Sequence, residues 1–125
     1  MKENDVILEG LNYLKKTSKI DPKTTKLGAE VVYNMVSLGI EAVLTHVLMS
    51  YDKMVDHSGI SMMLRELESV ETVPEDWKAA ARFMNKFQSY CSLEPIPAKV
   101  PNADELEKIL AFGRQIETYA LEKLN

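Results

Sequence analysis

The sequence predicts an all-α fold, an up-and-down helical bundle of four to five helices forming a single domain over residues 1–125, and three observations carry that reading. Apolar residues recur at helical spacing along most of the chain. The five prolines stand at 22, 74, 95, 97 and 101, so the stretch between Pro22 and Pro74 is free of the strongest helix breaker. No segment alternates polar and apolar residues for long enough to demand a strand.

A first helix is expected over about 4 to 18. Asp21-Pro22 has the form of an N-cap followed by proline at the first helical position, so a long second helix is expected over about 22 to 54. The polar run Asp56-His57-Ser58-Gly59 then interrupts the apolar pattern, which resumes with Ile60, Met63, Leu64 and Leu67. That places a short third helix over about 59 to 70. Thr72-Val73-Pro74-Glu75 carries a cap residue with Glu three places later, the pattern of a capping box, and opens a fourth helix over about 74 to 91. Asn102-Ala103-Asp104-Glu105 repeats the pattern before a last helix over about 103 to 124. Trp77, Ala81, Met84 and Phe87 form the apolar face of the fourth helix; Leu106, Leu110, Gly113, Ile116, Ala120 and Leu124 form that of the last. Trp77, Met84, Phe87, Leu106, Leu110 and Ile116 are the expected core, and Pro95, Pro97 and Pro101 stiffen the loop between the two helices.

Composition narrows the class. The chain is 46% hydrophobic and 27% charged, the balance of one globular domain and not of a disordered tail. Cys91 is the single cysteine, so no intrachain disulfide can form. The start, Met-Lys-Glu-Asn-Asp, lacks the apolar segment of a secretory signal, and no charge-free run exceeds ten residues, so no membrane association and a cytoplasmic location are expected. A net charge of −4 weighs against a dedicated nucleic-acid binder.

The second helix is apolar over most of its circumference, with Val31, Val32, Met35, Val36, Leu38, Ile40, Val43, Leu44 and Val47, as a central helix should be. One polar stripe, Glu30, Asn34, Ser37, Glu41 and Thr45, runs along it at three- and four-residue spacing. It reads either as the solvated strip of a partly exposed helix or as a cleft wall or partner-facing seam. His46 and His57 lie eleven residues apart with none of the His-x-x-x-His or Glu-x-x-His spacings of metal sites, so no metal site and no cofactor are predicted. Cys91 has no histidine in its own segment to activate it and reads as a small buried hydrophobe. The five glycines are scattered, and neither a P-loop nor a dinucleotide fingerprint can be written. Lys15, Lys16, Lys19, Lys23 and Lys26 cluster with Asp21 as the one acid, without interleaved aromatics, and read as an exposed turn before they read as an RNA or acidic-partner site.

The order of landmarks over roughly residues 30 to 124 resembles the HEPN family, helical domains named for higher eukaryotes and prokaryotes nucleotide binding. Ser37-Leu38-Gly39-Ile40-Glu41-Ala42-Val43-Leu44 is similar to that family's central helix with its Ile-Glu pair. His57-Ser58-Gly59-Ile60-Ser61-Met62-Met63-Leu64 is similar to the histidine that opens the next apolar helix, and Phe87-Gln88-Ser89-Tyr90, a proline-bearing loop and the helix from Asp104 complete the order. The resemblance implies a helical bundle that dimerises or pairs with a nucleotidyltransferase-type partner, a toxin–antitoxin-like arrangement, and binds a nucleotide or RNA. The family's ribonucleases carry Arg followed four to six residues later by His. Here Arg65, Arg82 and Arg114 all follow both histidines, Glu94 and Pro95 stand about where the arginine would fall, and Thr45 replaces a lysine often found four residues after the central-helix Glu. Without a cation for the phosphate and a proton carrier beside it, that chemistry has no basis.

The resulting expectation is a non-catalytic binding module with no catalytic residues. The alternative is an RNA-processing enzyme using non-standard residues such as His57. Glu41, His57, Arg82 and Tyr90 are the expected polar lining of a ligand cleft between the second and fourth helices. A homodimer is expected through the end of the second helix bearing Val47, Leu48, Met49, Tyr51 and Met54, which is apolar beyond any single stripe.

Overall fold

Each apolar face read from the sequence needs a second face to lie against, and five helices meet that need around one central member. The structure is a computed structural model describing residues 2–53, 59–87 and 100–124, with side chains described within 7–123. Its elements are α1 (Lys2–Ser18), α2 (Ala29–Ser50), α3 (Ile60–Glu68), α4 (Glu75–Met84) extended by a 3-10 turn (Asn85–Phe87), and α5 (Ala103–Leu124). No strand occurs among the described residues. The protein is an all-α helical bundle.

α2 packs on α1, α3 and α5, while α4 packs on α3 and α5. Val32, Val36, Ile40, Val43, Leu44, Val47 and Leu48 of α2 are all buried, and so are the six residues expected in the core. α1 and α2 run antiparallel and approach closely because Gly10 abuts Ala42 and Val43, and Gly39 abuts Leu14. A Cβ on Gly10 would lie 2.8 Å from the Ala42 Cβ, so the crossing admits no side chain there. Asn85 Nδ2 donates to Ser61 Oγ over 3.2 Å, and Lys78 pairs with Glu68, which sets α3 and α4 antiparallel. Tyr33, buried in α2, donates its hydroxyl to the Met84 carbonyl over 2.9 Å and sets its ring edge-on to Phe87. Buried Thr17 donates back to the α1 carbonyls of Tyr13 and Leu14.

The start of the last helix is as read: the Glu105 N–H donates to Asn102 Oδ1 over 2.8 Å and the Asn102 N–H to Glu105 Oε1 over 3.0 Å. Reciprocal bonds of this kind satisfy two otherwise orphaned donors. Two other starts differ. Asp21-Pro22 does begin a turn, since the Thr25 N–H reaches the Asp21 carbonyl and Asp21 Oδ1 accepts from Lys23, but the turn is not continued. Thr24 and Thr25 are poor propagators, and Thr25 Oγ1 accepts the Leu27 N–H, offering the backbone an alternative to helix. α2 therefore starts at Ala29, seven residues later than expected, after Gly28. The Thr72 box does not form: Pro74 occupies the N-cap of α4 and no side chain caps it. α4 itself closes at Met84 and tightens into the 3-10 turn, short of the expected end at 91, with residues 88–91 outside the described residues.

By length and composition α2 could cross a membrane, with a window mean hydropathy of 1.5, which the longest charge-free run alone does not reveal. Over half of that window is buried against the other helices, the condition of a core helix.

Candidate functional site

With α1, α3 and α5 covering three sides of α2, one side is left open among the described residues. Val31, Leu38 and Met49 are 50%, 49% and 45% exposed there, and Met35, Ala42 and Thr45 between them are half-buried. These six positions follow one another at spacings of four, three, four, three and four. At 100° per residue they fall within about 40° of one line along the helix, the spacing of a coiled-coil seam. Isolated exposed apolar side chains are ordinary; an aligned row over about five turns of helix is a surface. Leu27, just before the N-terminal end of the helix, is exposed as well.

The expected dimer surface is corrected by this geometry. Val47 and Leu48 are each 1% exposed, covered within the chain, so only Met49 and Tyr51 of that group are open and Met54 lies outside the described residues. The polar stripe is likewise not one strip: Glu30 and Asn34 are exposed, Glu41 and Thr45 half-buried, and Ser37 buried.

Near the C-terminal end of α2 a carboxylate gathers three partners. Glu71, in the α3–α4 link, accepts from the hydroxyls of Tyr51 and Tyr119, the latter at 2.8 Å, and from the Lys123 ammonium. Lys123 Nζ also sits 5.7 Å from the Tyr51 ring centre and 5.4 Å from that of Tyr119, within cation–π range. Burial opposes ionisation of Glu71, but the bonds from Lys123, Tyr51 and Tyr119 outweigh it and hold the carboxyl below its ordinary value. The bond to Glu71 raises Lys123, whereas burial and then the same carboxylate raise the Tyr119 phenol well above its ordinary value. All four groups keep their neutral-pH charge states, so the cluster is a clasp tying α2, the α3–α4 link and α5 together. It has no group poised to exchange a proton near neutrality.

Of the expected ligand lining, Glu41 is half-buried on α2 and Arg82 exposed on α4, while His57 and Tyr90 lie outside the described residues. α2 and α4 meet through the Tyr33 hydroxyl on the Met84 carbonyl, while α3 and α5 each pack on both of them. A shallow groove of about 520 Å³ is lined by Glu68, Glu71, Thr72, Glu75 and Lys78. A second, of about 420 Å³, is lined by Lys19, Lys23, Asp104 and Glu107; neither takes in Glu41 or Arg82. Among the described residues no three His, Cys, Asp or Glu side chains are grouped as a metal site needs. Cys91 lies outside the described residues.

The sequence reading missed the α2 row and the Glu71 clasp. The row's spacing was legible, but it shares the helix with an equally regular polar stripe, and only packing decides which side stays open. The clasp joins residues up to 72 positions apart and leaves no local pattern. Comparison with protein-family models, with curated proteins and with solved structures finds no match to the chain. The family likeness therefore rests on the sequence motifs alone.

Proposed function

We propose that the protein is a non-catalytic, HEPN-like binding module of the cytoplasm that works by docking the open side of its central helix on another protein chain. The observation that supports this reading is the aligned row from Val31 to Met49 on a helix that α1, α3 and α5 otherwise pack against. A bundle of this size gains nothing in stability from leaving such a row in water, and an apolar row at coiled-coil spacing suits a helical partner surface. The partner is a second copy or a nucleotidyltransferase-type protein, with a nucleotide or RNA as a further ligand. The test of the non-catalytic reading is incubation of the purified protein with mixed RNA in metal-free buffer. The RNA is expected to stay intact. Cleavage that a His57→Ala change abolishes, with helical circular dichroism unchanged, would overturn the reading in favour of a ribonuclease.

A further inference from the structure

Building on that docking reading, we infer that the open face of α2 is built to receive a second copy of this chain in an antiparallel, two-fold arrangement about the level of Ile40. The row is its own complement in that orientation. When two α2 helices lie antiparallel with Ile40 at the two-fold, Val31 of one copy comes level with Met49 of the other, Met35 with Thr45, and Leu38 with Ala42. Every member finds a partner within the row. Met49, Met35 and Leu38 thereby lie level with the smaller Val31, Thr45 and Ala42, the interdigitation a packed seam requires. A two-fold contact of this kind is closed, so it stops at a dimer and leaves no row exposed.

The charges on the α1 edge beside the row fit the same geometry and choose the occupant. Gly10 of α1 abuts Ala42 of the row, and Glu9, Tyr13 and Lys16 follow round α1 on the edge that borders it. Glu9 and Lys16 are exposed, seven residues apart on one face of α1, and neither has an ion-pair partner among the described residues. Because α1 runs antiparallel to α2, with Leu14 against Gly39 and Gly10 against Ala42, the two-fold that matches the row also carries Glu9 of one copy level with Lys16 of the other. The pairing occurs twice, once on each side of the axis. A parallel two-fold pairing would instead put the two α1 helices on opposite sides of the seam, where Glu9 and Lys16 find no partner across it.

Charge reversal tests this in a way that a merely structural role of these exposed residues would not reproduce. Glu9→Lys and Lys16→Glu each turn both cross-axis pairs into repulsions, so each variant alone should dissociate about tenfold more readily than the wild type. Mixed in equal amounts, the two variants should form a heterodimer, because Lys at 9 and Lys16 of one chain then face Glu at 16 and Glu9 of the other. With one variant uniformly labelled with nitrogen-15, native mass spectrometry distinguishes the mixed species by mass, and circular dichroism checks that each variant is folded. Weakened single variants with a recovered heterodimer support the antiparallel dimer. Single variants that dimerise like the wild type, a mixture that shows no preference for the heterodimer, or a wild type monomeric at every concentration overturn it. The last result leaves the docking reading to be decided by a heterologous partner, and the RNA assay still decides the non-catalytic reading.

Discussion

Replacing Gly10 by alanine should destabilise the bundle even though alanine is the better helix former. The new Cβ would lie 2.8 Å from the Ala42 Cβ and 2.9 Å from the Gly39 carbonyl oxygen. Carbon atoms in ordinary contact stand about 3.5–4.0 Å apart, so α1 must retreat by roughly 1 Å. The opposing atoms are a backbone oxygen and a Cβ, and neither can rotate away. That retreat also loosens Leu14 from Gly39 one turn further on. Helix propensity returns about 1 kcal/mol, while overpacking costs about 1–3 kcal/mol and the loosened neighbour adds to it. The net expectation is a loss of about 1–2 kcal/mol, a fall in Tm of roughly 3–10 °C, read by urea and thermal unfolding followed by circular dichroism. Gly28→Ala is the control, since a Cβ there meets nothing within 4 Å and should change stability by less than about 1 kcal/mol. A Gly10→Ala protein as stable as the wild type, with an unchanged denaturant slope, would refute the close crossing of α1 and α2.

Leu110, 1% exposed in the middle of α5, should cost about 2–5 kcal/mol when cut to alanine, by lost transfer energy and the cavity left behind, and a loss under 1 kcal/mol in urea titration would reject its placement in the core. The Glu71 clasp predicts a pH dependence. Its carboxyl is held below the ordinary value of 4.5, so the stability it adds is present above that value and is lost as pH falls through the depressed one. Lys123 is raised and so stays charged throughout this window. Glu71→Gln should therefore cost about 1 kcal/mol at neutral pH, with the gap to wild type closing as the solution is acidified below about 4.5. A gap that is constant from neutral pH into strong acid would show that the clasp does not depend on the carboxylate charge.

How much of this was written in the sequence depends on whether the signal is local. The Asn102–Glu105 capping box and the 77, 81, 84, 87 face are local patterns, and both stand as read. Asp21-Pro22 is also local, but a proline at the first helical position only permits a helix. The threonines and Gly28 that follow decide against one until Ala29. The burial of Val47 and Leu48 was not legible, because their cover comes from other helices and an apolar residue carries no mark of which neighbour will reach it. The same holds for Gly10 and Gly39: scattered in sequence, they are brought together by the antiparallel return of the chain. Of the expected ligand lining, only Glu41 and Arg82 fall in the described residues, on α2 and α4.

What covers the row from Val31 to Met49 is read most directly from the molar mass of the protein in solution. Leu38 is half exposed at the centre of the row, so Leu38→Glu should leave the folding of a single chain within about 0.5 kcal/mol of wild type while placing a charge in the contact. Light scattering at micromolar concentration should give the wild type about twice the chain mass of 14.2 kDa and the Leu38→Glu protein the single-chain mass, with the same circular dichroism. A wild type that stays at 14.2 kDa as its concentration is raised, or a dimer that Leu38→Glu does not disturb, would contradict the claim that α2 docks on a second copy.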